Sequence, residues 1–157
     1  MLRASLFSTL LVFLGLQALF PSDAYPGGLV AGQLAFSAEA LQAQLAVLAA
    51  EERLGAFALA QRFDFLFIAS YSALLFFLLR APQDSSARRL ALWLLVVAVA
   101  LSDGLENAFM LGFIEAPDTL TGGRALAYST FAAGKWAGLA LATVLIALRR
   151  RSATLSG

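Results

Sequence analysis

Apolar residues gather in four long runs, Leu6 to Phe20, Phe63 to Leu79, Leu90 to Ile114 and Leu126 to Leu148, separated by clusters of turn formers. Pro21-Ser22-Asp23 and Pro26-Gly27-Gly28 follow the first run, Pro82 and Asp84-Ser85-Ser86 the second, and Pro117-Asp118 with Gly122-Gly123 the third. A helix needs about 20 residues to cross a bilayer. The last two runs meet that easily, the second needs some flanking helix, and the first is borderline. The pattern predicts an all-α integral membrane protein, a single transmembrane domain whose four-helix bundle has spans at about 4–20, 60–80, 89–114 and 126–148.

The segment at about 24–58 is the one sizeable loop. Ser37 suits a helix N-cap with Glu39 in the first turn, and from Ala38 the chain is rich in Ala, Leu, Gln and Glu with no Gly or Pro until Gly55. Leu41, Leu45 and Leu48 recur at helical spacing. This predicts an interfacial amphipathic helix that caps the bundle or runs on into the second span; a helical linker held by propensity alone is the plainer reading.

Charge orients the bundle. Arg3, Arg80, Arg88, Arg89, Arg149, Arg150 and Arg151 lie on one side with a single acid, Asp84. The other side carries Asp23, Glu39, Glu51, Glu52, Glu115 and Asp118 against Arg53, Arg62 and Arg124. The positive-inside rule then makes both termini cytoplasmic and the loop helix extracytoplasmic. If Leu6 to Phe20 acts as a signal peptide, cleaved near Ser22-Asp23-Ala24, three spans remain and the N-terminus moves outside.

Composition narrows the class. The chain is 61% apolar and 13% charged, against about 25% charged in an ordinary soluble domain, and its mean hydropathy is +0.81. A net charge of +1 gives no general cationic surface for nucleic acid. With neither Cys nor His, there are no disulfides, thiol catalysis or usual zinc ligation. No cofactor or metal is implied, and acid–base chemistry falls to Asp, Glu, Lys or Tyr. The Ala/Leu/Arg-rich composition suggests a bacterial inner membrane.

Three of the runs contain charge, at matching depth. Asp64 lies 16 residues from Arg80, Asp103 lies 14 from Arg89 and Lys135 lies 14 from Arg149, which is roughly 21–24 Å along a helix axis. Helical phase puts Asp103, Glu106, Asn107 and Met110 on one arc that continues through Val99 and Val96. Asp64 shares a face with Ile68, Tyr71 and Leu75, and Lys135 with Tyr128, Phe131, Leu139 and Ala142. Gly104/Ala108/Gly112 and Gly134/Gly138 form small-residue ladders that allow close helix approach. Trp93 fits an interface anchor near the basic end, whereas Trp136 fits either an aromatic belt or a pocket wall.

Three acids facing one lysine leave a surplus that must be protonated, hydrated or matched by a cation. Intramembrane charge of this kind marks a candidate site. Asp103, Glu106, Asp64 and Lys135 are the candidate catalytic groups, and Asn107, Tyr71, Tyr128, Trp136, Met110 and Phe131 the candidate pocket residues. The expected function is a pocket for a membrane lipid or apolar small molecule, extending to isomerase-like acid–base chemistry. The alternatives are an accessory subunit whose polar corner binds a partner helix or a second copy, and a proton or cation transport component. The same residues would also serve as a structural latch, an Asp–Lys pair and an Asn bond fixing helix register.

Overall fold

The computed structural model describes residues 2–21, 25–80 and 84–155, and every regular element among them is helical. Asp23, the cleavage motif Ser22-Asp23-Ala24, Pro82 and the side chains of Arg150 and Arg151 lie outside the described residues. The elements are α1 (Leu2–Leu19), α2 (Leu29–Gln33), α3 (Ala38–Ala50), α4 (Leu54–Leu79), α5 (Ser86–Glu115), a 3₁₀ turn (Pro117–Thr119) and α6 (Gly122–Leu155). Among the described residues four helices are long and apolar enough to cross a membrane: α1, α4, α5 and α6 through Arg149.

The helices outrun the apolar runs because their caps lie in polar sequence. The Ser85 hydroxyl accepts from the Arg88 amide and starts α5 three residues before the expected boundary at 89. Thr121 accepts from the Arg124 amide, so Gly122 and Gly123 open α6 rather than end a loop. α4 begins at Leu54 instead of near 60. Ser37 caps α3 through the Ala40 amide, as the sequence suggests.

α3 does not continue into α4. Glu52 sits at φ 56°, in the left-handed region, and the Arg53 amide turns back to the Leu48 carbonyl at 2.8 Å. That break lets the buried Leu41 and Leu48 pack with Phe57, Phe113, Leu120, Ala125 and Tyr128 on the bundle end opposite Arg80, Arg88, Arg89 and Arg149.

α5 packs between α4 and α6, α4 also touches α6, and α1 lies along α4. α1 keeps Leu6, Phe7, Leu10, Leu11 and Leu14 exposed, as a lipid-facing helix would, while its Phe13 ring meets Phe67 at 5.9 Å. The α5–α6 contact depends on glycine. A Cβ at Gly138 would lie 2.3 Å from Val99 Cγ2, and one at Gly134 would lie 3.2 Å from Ser102 Oγ. The Gly104/Gly112 ladder is not at such a contact, its nearest neighbours lying at 3.8 and 3.5 Å. At the basic end Arg149 makes two bonds to the Asp84 carboxylate, at 2.9 and 2.8 Å, and one to the Leu79 carbonyl. Arg88 reaches the same carboxylate at 3.4 Å.

Candidate functional site

The α5 arc drawn from helical phase is the buried face of that helix. Val96, Val99, Asp103, Glu106, Asn107, Met110 and Phe113 are its buried residues. Turning that face toward α4 and α6 brings the three charged runs together. Lys135 Nζ lies 3.0 Å from Asp103 Oδ1 and 2.5 Å from Glu106 Oε2, and those two oxygens have no hydrogen-bond partner besides that ammonium contact. All three side chains are nearly inaccessible, with 7%, 5% and 1% exposure for Lys135, Asp103 and Glu106. That degree of burial makes the pairing obligatory, because an unpaired charge there would be far more costly than one at the surface.

The cluster continues on both sides. Tyr71 donates to Asp103 Oδ2 at 2.8 Å. Tyr128 interacts with Glu106 and, at 3.5 Å, with the Tyr25 hydroxyl. A polar chain therefore runs Tyr25, Tyr128, Glu106, Lys135, Asp103, Tyr71 through the bundle. Beside it, Asn107 donates to Asp64 Oδ2 at 2.7 Å. Tyr25, in the loop before α2, has its phenol pushed up to about 12, chiefly by burial; it stays a neutral hydroxyl at physiological pH.

A cavity of about 390 Å³ lies against this cluster, between α1 and the other three long helices. Asp64, Asp103, Asn107 and Lys135 reach it, along with Tyr71 and Trp136. Its remaining wall is mostly apolar, with Phe13 and Leu16 from α1, Phe20 just after it, Phe57 and Phe67 from α4, and Leu139 from α6. A few polar groups thus converge on a wall that is otherwise apolar.

The other candidate catalytic and pocket residues stand elsewhere. Glu106 is behind Lys135, and Tyr128 behind Glu106, off the cavity wall. Met110 packs in the core with Phe113 and Tyr128. Phe131 stacks on Phe109 at 5.9 Å, because the Lys135 face of α6 is broader than the cavity and its flank meets α5. Arg62 pairs with Glu115 at 3.0 Å on the surface and takes no part.

Several lining residues carry no obvious mark in the sequence. Tyr25, Leu29 and Gln33 close the end of the cavity that faces α2. Gly28 begins α2 at φ 89°, a conformation suited to glycine, and a Cβ on Gly32 would strike the Tyr25 ring at 2.2 Å. This close fit holds Gln33 where its Oε1 accepts from Trp136 Nε1 at 2.9 Å. Trp136 is thus a pocket wall tied to the cap, its ring 5.3 Å from Lys135 Nζ. A five-residue helix has too little periodicity to reveal this. Two further lining residues did leave a signal: Gln61 is one turn before Asp64 on α4, and Gln17 is the amide in the apolar run of α1.

Compared with protein-family models, curated proteins and solved structures, the chain matches none.

Proposed function

We propose that this chain is a multi-pass protein of a bacterial inner membrane, with both termini cytoplasmic, that holds a lipid-like or apolar small molecule in the cavity beside Asp64, Asp103 and Lys135. The supporting observation is the meeting of an aromatic and aliphatic chamber with a polar cluster buried inside one protomer. The apolar body of the ligand lies against Phe13, Phe57, Phe67 and Leu139, and its polar end meets Asp64, Asn107 and the Gln33–Trp136 pair. α2 and α3 cover the extracytoplasmic end, in keeping with the arginine bias of the opposite end.

Burial of Asp103, Glu106, Asn107 and Lys135 argues against the partner-helix reading, which needs those groups on an outer face. Beyond the cluster, toward the basic end, Ile68, Leu75, Leu79, Val96, Val99, Leu139 and Ala142 pack into apolar clusters, which favours a closed chamber over an ion path. Acid–base chemistry is the natural extension of the binding role. Asp103 and Asp64 would give a proton to one carbon of an unsaturated ligand and take one from another, moving a double bond with no net change in atoms. Glu106 would act through Lys135.

Asp103→Asn and Glu106→Gln test the reading. Both variants should remain folded in the membrane, as judged by monodisperse extraction, yet lose the molecule that copurifies with the wild type. If both instead aggregate or disappear from the membrane, the cluster is a structural latch.

A further inference from the structure

A second cavity, about 420 Å³, lies in the cleft between the basic end of α4 and the start of α5. Its floor is Phe76, Leu79, Leu92 and Val96; Leu90 and Trp93 stand at its edge, 57% and 49% exposed. Arg80, at the C-cap of α4, and Arg89, in the first turn of α5, line the same cleft.

Basic groups outnumber acids around the cleft among the described residues. Asp84 is engaged by Arg149 and Arg88. Arg80 and Arg89 have no carboxylate within ion-pair distance among the described residues; Arg80 lies 6.0 Å over the Phe76 ring and Arg89 donates to Ser86 at 3.3 Å. Two exposed guanidinium groups stand over an apolar trough, at the level where Trp93 anchors the helix to the bilayer interface. Guanidinium matches a phosphodiester with paired N–H donors, and the trough suits an acyl chain.

We infer that this cleft is a binding site for an anionic phospholipid, its head group held between Arg80 and Arg89 and one acyl chain lying over Phe76, Trp93 and Val96. The site is separate from the cavity beside Lys135 and does not depend on the function proposed for it. A zwitterionic lipid fits less well, because its own cation would have to sit among the arginines.

Native mass spectrometry of the delipidated protein tests this, with phosphatidylglycerol or phosphatidylcholine of identical acyl chains as probes. The expected result is a preference for phosphatidylglycerol of about tenfold or more, in line with two basic contacts near the membrane surface. Arg80→Gln with Arg89→Gln should abolish that preference, while Arg3→Gln, away from the cleft, should leave it intact. Both changes in the double variant are at exposed positions, and a matching melting temperature verifies its fold. A variant carrying Arg89→Gln alone, with an intermediate preference, supports the site independently. Equal binding of the two lipids, or a preference that survives the double substitution, would overturn it.

Discussion

Deleting the Lys135 ammonium while keeping its partners would strand Asp103 and Glu106 in the interior, 3.0 and 2.5 Å from where their counter-charge had been. Lys135→Met should therefore cost about 3–5 kcal/mol of stability. Replacing all three groups together, with Asp103→Asn and Glu106→Gln added, should recover most of that loss. Unfolding in a fixed detergent mixture gives the comparison, and a single Lys135→Met variant as stable as wild type would show that the ammonium does not hold the cluster together. Asp64 is a milder case. Among the described residues its hydrogen bond comes from Asn107 at 2.7 Å, so Asp64→Ala should cost about 1–3 kcal/mol, whereas Asp64→Asn keeps an acceptor and should cost less. These residues were legible in the sequence because a charge in an apolar run is rare and helical phase shows which charges share a face. The polarity of the cluster was readable; which carboxyl reached open space was not. Glu106 and Asp103 are one turn apart on the same arc, and only the position of α6 puts Lys135 between Glu106 and the cavity.

At the level of helices, the α5–α6 contact is close enough to require glycine at position 138. Gly138→Ala places a methyl 2.3 Å from Val99 Cγ2, so the helices must separate or Val99 must change rotamer. A loss of about 1–3 kcal/mol is expected, and Val99→Ala in the same chain should restore much of it. Gly134→Ala meets a hydroxyl at 3.2 Å and should be milder. Equal effects at Gly134 and Gly138, measured by thermal unfolding, would contradict this packing. The two glycine ladders looked alike in sequence, yet one lies at the α5–α6 contact and the other does not. Spacing identifies a face that permits close approach; the neighbour that uses it is settled by the whole bundle. The break between α3 and α4 was hidden for a related reason. Glu52 is an ordinary helix former by propensity, and its left-handed backbone is imposed by burying Leu41 and Leu48 against the bundle end.

For the whole molecule, the proposed sidedness rests on the charge bias and can be tested directly, since the sequence has no cysteine to interfere. Gln42→Cys on α3 should react with a membrane-impermeant maleimide in intact cells. Ser86→Cys, at the arginine-bearing end, should react only after permeabilisation; the reverse pattern would invert the proposed topology. The number of long helices and their order were plain from hydropathy. The cap made by residues 25–33 was not, because its role comes from contacts with distant residues, Gln33 with Trp136 and Tyr25 with Tyr128. That cap and α1 make the buried polar cluster one wall of a chamber. Ala60 lines it, and Ala60→Phe would fill part of its volume without touching the Lys135 ion pairs. Native mass spectrometry of the wild type and this variant, each extracted from its own membrane, is the most direct measurement. The wild type should carry one discrete apolar or lipid-like adduct, and the variant, with a similar melting temperature, should lose it. A wild type with no adduct, or a variant that keeps the same one, would contradict a ligand held in this chamber.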